Sequence, residues 1–135
     1  MEITPNQKEK INQLAQKYHL KMILLFGSQV SGKLNQESDI DIAFLSKKNL
    51  SFKQEYFLNY ELTNIFQNHQ IDTTNLRKAP PLLMKEILNN SQILYQSAPM
   101  IFDAFEVYAL QRYQEALPLF VMHQQAIKNF IHDKF

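Results

Sequence analysis

Apolar residues along this chain change their spacing several times, and each change marks an element. Ile11, Leu14, Ala15 and Tyr18 recur at helical intervals behind Thr4 and Pro5. That predicts a packing helix over residues 5–18, with Thr4 as its cap and Pro5 in its first turn. Residues 21–26 are too short and too uniformly apolar for a surface helix and read as a buried strand. Residues 28–31 open a short helix or turn, and 32–38 form a polar loop that carries Asn35. Residues 39–45 are the second strand. Side chains alternate faces along a strand, so Asp39 and Asp41 project together while Ile40, Ile42 and Phe44 point into a core.

The second half continues in the same alternation. A long helix is predicted over 51–66, capped by Ser51. Phe52, Tyr56, Tyr60 and Thr63 share one face, and Phe57, Leu58, Leu62, Ile65 and Phe66 widen the apolar surface. A stripe this wide reports contact on two sides, with the sheet on one and a partner protein on the other, or, more commonly, a thick core. Residues 70–76 are rich in β-branched side chains and form a third strand that carries Asp72. Pro80 and Pro81 separate it from a short helix over 82–88, and 92–96 form a short fourth strand. From residue 100 or 101 a helix runs to about 117. Pro118 is expected to kink or interrupt it, because proline removes a helical hydrogen bond, and a last helical piece covers 119–131. The expectation is an α/β (α+β) fold: a small mixed sheet packed by helices, with a core at about 20–97 and an aromatic-rich helical C-terminal segment at about 100–133. That segment folds back as core or serves as a partner surface.

Composition narrows the class. A chain of 135 residues fits one domain, 1–135, with a core of ordinary size. Hydrophobic and charged fractions of 45% and 20% are those of a globular soluble protein. A net charge of +1 excludes a broad electrostatic grip on nucleic acid, so no direct nucleic-acid binding is expected. There is no cysteine, hence no disulfide frame and no thiol catalyst. The N-terminus lacks a basic-then-apolar signal pattern, and no apolar run approaches the ~20 residues of a membrane helix. A cytoplasmic location is expected. His19, His69, His123 and His132 lack the spacing of a helical metal site.

The chemistry concentrates between Gly27-Ser28 and Asp39-x-Asp41. Both glycines of the chain, Gly27 and Gly32, fall here, and scarce glycine marks backbone that must bend or leave room. Two carboxylates on one face repel unless a cation sits between them, and such hard oxygen donors suit Mg²⁺ together with substrate phosphates. A small residue closing a strand lets a phosphate approach the backbone, where N–H groups of a following helical turn favour an anion. Gly27 and Ser28 are therefore nucleotide-binding candidates, and Asp39 and Asp41 metal-binding and catalytic candidates.

The Gly-Ser, ten-residue, Asp-x-Asp arrangement resembles the signature of the DNA polymerase β-like nucleotidyltransferase superfamily. The small size resembles its minimal nucleotidyltransferase branch, the MNT antitoxins encoded beside HEPN toxins. The resemblance covers at least residues 22–95. It implies a nucleotidyltransferase fold and a third carboxylate on the strand beside Asp-x-Asp, to which Asp72 corresponds. It implies two Mg²⁺ ions, with Asp39 and Asp41 on the triphosphate-associated metal. Asp72 would complete the second metal site, and Ser28 would hold the β- or γ-phosphate of ATP. In this family basic residues often follow the Gly-Ser. Here Gln29 and Ser31 stand there, so either the metals, Lys33 or the Arg77-Lys78 pair supply the charge, or catalysis is weak.

The resemblance further implies the acceptor. A chain without room for a second domain takes its acceptor from a docked protein, a HEPN ribonuclease toxin inactivated by transfer of AMP to a tyrosine. Two other readings stay open. One is a catalytically weak or inactive antitoxin that acts by binding alone. The other is a small-molecule nucleotidyltransferase that modifies an antibiotic.

Overall fold

The computed structural model describes residues 2–27, 30, 39–67 and 70–135. The elements follow in the order α1 (Pro5–Lys17), β1 (Leu20–Phe26), β2 (Ile40–Ser46), α2 (Phe52–Ile65), β3 (Ile71–Asn75), α3 (Pro81–Asn89), β4 (Ser91–Gln96) and α4 (Ile101–Lys134). The predicted turn at 28–31 and the loop at 32–38 lie outside the described residues, apart from Val30, whose N–H donates to the Gly27 carbonyl.

The strands form one mixed sheet in the order β3-β2-β1-β4. β1 pairs antiparallel with both β2 and β4, whereas β2 and β3 run parallel. The sheet is covered on both faces, which is why β1 and β2 read as continuous apolar runs. Ile23, Leu25, Ile40, Ile42 and Phe44 point to one face and are buried with Ile11 and Leu14 of α1 and Leu58 and Leu62 of α2. Met22, Leu24 and Ala43 point to the other face and pack with Met84, Ile87 and Leu88 of α3 and Ala109 of α4.

Local chemistry sets the helix starts. Thr4 and Ser51 both close capping boxes, with Gln7 and Gln54 returning the hydrogen bond. Each box satisfies two backbone donors that a helix start leaves orphaned. α1 and α2 are also clasped by their side chains. Lys17 Nζ donates to Glu61 Oε1 at 2.7 Å. Burial, then the hydrogen bond to Glu61, push the Tyr18 hydroxyl up to about 12. Burial pushes the Glu61 carboxyl up, but the hydrogen bonds from Lys17 and Tyr18 outweigh it and hold the group below its ordinary value.

The wide apolar surface of α2 resolves into two faces. Leu58, Leu62 and Ile65 are buried against the sheet, whereas Phe52, Tyr56, Phe57 and Tyr60 are exposed. The C-terminal segment corrects an expectation. α4 is one helix of 34 residues that passes through Pro118 without interruption. Pro118 has no N–H to give the Gln114 carbonyl, but both residues are exposed, so water takes that acceptor and the lost bond is not fatal.

The two faces of α2 separate cleanly by mutation. Leu58→Ala, at a fully buried position, is expected to destabilise the fold by roughly 2–5 kcal/mol. Phe52→Ala, at a position 86% exposed, should stay within about 0.5 kcal/mol of wild type. Urea denaturation followed by circular dichroism reads both, and equal losses would place α2 wrongly.

Candidate active site

Asp41 lies at the second position of β2, flanked on both sides. Its register partner on β1 is Phe26, the last residue of that strand. Its partner on β3 is Asp72. Paired residues of neighbouring strands carry their side chains on one face about 4.8 Å apart. Parallel pairing thus sets two carboxylates side by side, on the face opposite Ile40, Ile42 and Phe44. Asp39 sits just before β2. Asp39 and Asp72 are exposed, and Asp41 is half-buried.

The electrostatics record this crowding. Burial, then the charge of Asp72, then that of Asp39, hold the Asp41 carboxyl above the usual aspartate range. A cation beside the group removes the last two penalties. Among the described residues, no three His, Cys, Asp or Glu side chains converge closely enough to hold a metal by themselves. The donor set nonetheless fits Mg²⁺, which takes one or two carboxylates and completes its shell with substrate phosphates and water.

Gly27 has a role beyond the one expected from sequence. Its φ of +81° is a conformation that side chains disfavour. A Cβ built on it would lie 2.5 Å from Asp41 Oδ2. The Asp41 carboxylate therefore rests directly against the Gly27 backbone, and any side chain there would displace it. Ser28, the other candidate for phosphate contact, lies outside the described residues, as do Gln29, Ser31, Lys33 and His69.

Two further residues bear on the site. Asn59 of α2 donates from Nδ2 to the Ile71 carbonyl at 3.0 Å and to Thr73 Oγ1 at 3.5 Å. It thereby ties down the edge strand on both sides of Asp72. Sequence gave only a weak signal for it, a polar residue beside the apolar stripe of α2. The Arg77-Lys78 pair, expected to compensate for missing positive charge, does not reach the carboxylates. Arg77 donates to the Ser46 and Lys47 carbonyls, and Lys78 pairs with Glu55. Arg77 is also five residues along the chain from Asp72, about 16 Å in extended backbone.

A carboxylate row at one end of a mixed sheet, closed by a glycine turn, is a site for phosphate and cation chemistry. Residues 9–99 match the family described as polymerase beta, nucleotidyltransferase. The chain belongs to that nucleotidyltransferase family. It is 26% identical over 122 residues to the protein adenylyltransferase MntA of Aphanizomenon flos-aquae, covering 84% of this chain and 81% of that protein. A crystal structure of a toxin–antitoxin with AMP-PNP matches at TM-score 0.74 and 26% identity, over 92% of this chain and 98% of that one. A tri-AMPylated Shewanella oneidensis HEPN toxin in complex with MNT antitoxin matches in fold, at TM-score 0.69 and 24% identity, over 93% of this chain and 97% of that one.

The contact between Gly27 and Asp41 sets a testable constraint. Gly27→Ala forces a side chain into the left-handed region, at a cost of about 1–2 kcal/mol, and pushes Asp41 aside. The expected outcome is a fold that still melts cooperatively but has lost most of its Mg²⁺-dependent ATP binding. Unchanged binding by calorimetry would contradict the role assigned to Gly27.

Proposed function

We propose that this chain transfers AMP from ATP to a tyrosine hydroxyl of a cognate HEPN ribonuclease toxin and so neutralises it as an antitoxin. The observation that carries the reading is the register that pairs Asp41 with Asp72 beside Gly27. The likeness to an adenylyltransferase and to an AMP-PNP-bound toxin–antitoxin supports the choice of ATP and of a protein acceptor. A cytoplasmic location accords with ATP as substrate.

Each residue then has a task. Asp39 and Asp41 would hold the metal that accompanies the triphosphate and share a second, whose site Asp72 would complete. When bound, two Mg²⁺ ions neutralise the phosphates and lower the pKa of the acceptor hydroxyl. Gly27 keeps the Asp41 carboxylate in place and leaves its backbone open to a phosphate, and Ser28 contacts the β- or γ-phosphate. Asp72, on the exposed edge strand, faces the side from which an acceptor arrives, and its carboxylate oxygen takes the phenolic proton. The tyrosine oxygen bonds to the α-phosphorus as the bond to the bridging oxygen breaks. Pyrophosphate leaves, and the adduct adds negative charge and bulk to the toxin where RNA would bind.

The test is the intact mass of the co-purified toxin after incubation with this chain, ATP and Mg²⁺. Wild type is expected to add AMP. Asp41→Asn should lower the rate by at least about a thousandfold, while its circular dichroism and melting stay close to wild type. A tight complex whose mass never changes would instead favour neutralisation by binding alone.

A further inference from the structure

The distal half of α4 has no place in its own domain. Every residue from Leu117 to Phe135 is exposed. Residues 117–122 carry no polar side chain at all. From Leu117 to Ile127 it contains no Asp, Glu, Lys or Arg. At about 100° per residue, Leu117, Phe120 and Ile127 fall on one flank and Leu119, Ala126 and Phe130 on the next, roughly 110° around, so these apolar positions span about half the circumference. Gln125, Asn129 and His132 fall on the remaining side, with Val121 and Met122 at its margins, while His123 and Gln124 lie within the apolar half. An apolar face this wide belongs against a core or a partner, yet Leu119 is 69% exposed and Phe130 58%.

The course of α4 shows what would cover it. The helix begins at the end of the sheet far from the carboxylates, where Phe102 N–H donates to Gln96 Oε1 and Ser97 N–H to the Lys21 carbonyl. Phe105 then shares a cleft with Met84, and Ala109 and Leu110 share one with Leu88 and Asn89. α4 therefore runs in the same direction as α3, and α3 ends at Asn89. Two residues later Ser91 pairs with Phe26, and Phe26 pairs with Asp41. By residue 110 the helix has reached the carboxylate end of the sheet. The remaining residues, Leu117–Phe135, add about 28 Å beyond it.

We infer that residues 117–135 of α4 form the arm that grips the acceptor protein, inserting its apolar half into the HEPN toxin so that the toxin's tyrosine is held at the Asp41–Asp72 end of the sheet. This rests on the proposed function, in which the acceptor is a docked protein. A two-fold pairing of α4 with a second copy would cover a strip about 100° wide and leave the rest of the apolar half in water, whereas a larger partner covers all of it.

The experiment uses the full chain and the HEPN toxin that co-purifies with it. Phe120→Glu/Ile127→Glu charges one flank of the arm, Leu119→Glu/Phe130→Glu the other, and Gln125→Glu charges the remaining side. Both double variants are expected to weaken toxin binding about tenfold or more and to slow AMP transfer at limiting toxin by a similar factor. Binding of a fluorescent ATP analogue with Mg²⁺ should be unchanged in every variant, and Gln125→Glu should match wild type throughout. Unaltered toxin affinity in both double variants overturns the inference. So does a wild-type dimer that they split while toxin affinity stays constant, which makes the arm a self-association surface. A wild-type complex that forms but never gains AMP contradicts the proposed function alone, and the affinity change still decides the arm. Absence of any wild-type complex overturns both.

Discussion

The structure depends on one costly arrangement: two carboxylates paired across parallel strands at the open end of a sheet. Asp41 faces Asp72 because β2 and β3 run parallel in this register, and neither strand can slip by one residue to relieve it. Such a slip would turn Ile40, Ile42 and Phe44 out of the core and Asp41 into it. The apolar core on the α1 and α2 face thus enforces the repulsion on the other. Burial first, then the charges of Asp72 and Asp39, hold the Asp41 carboxyl above the usual aspartate range, and a cation beside the pair would offset the charge repulsion.

Other features protect the same pair. Gly27 is bent into a left-handed conformation with its missing Cβ opposite Asp41 Oδ2, so the carboxylate lies against backbone and has little freedom. Asn59 ties the edge strand to α2 on either side of Asp72. Without that tie Asp72 would sit on a short edge strand paired on one side only. Arg77, by contrast, is spent on holding the far ends of β2 and β3 together through the Ser46 and Lys47 carbonyls. Under the proposed function, that leaves bound cations or other residues to supply positive charge for the triphosphate.

Much of this was legible in the sequence because the sheet is buried on both faces. Doubly covered strands appear as short apolar runs, and β1 and β2 were found within a residue or so of their bounds. Asp39 and Asp41 stood out because their spacing from Gly27-Ser28 opens an apolar run, whereas Asp72, on a polar edge strand, was reached only through the family resemblance. Thr4 and Ser51 were readable as caps because capping is local. What escaped was tertiary. Pro118 was read as a break by its local chemistry, but an exposed helix loses little when water takes one carbonyl. The contact of Gly27 with Asp41 joins two strands across thirteen intervening residues, and no spacing rule states it. The division of α2 into a buried and an exposed aromatic face needed the sheet to be seen beneath it. The arm of α4 follows the same lesson: its apolar residues gave the composition of a core helix, and only the fold shows that the core is elsewhere.

The most direct test of the account is a count of divalent ions at the carboxylate row. Mn²⁺, standing in for Mg²⁺, is titrated into the protein with AMP-PNP and followed by electron paramagnetic resonance. The account predicts two ions per chain in wild type, close enough to couple magnetically, and a single uncoupled ion in Asp72→Asn. Equal occupancy and identical spectra in the two proteins would mean that Asp72 holds no metal, and the pairing on which the account rests would be structural coincidence.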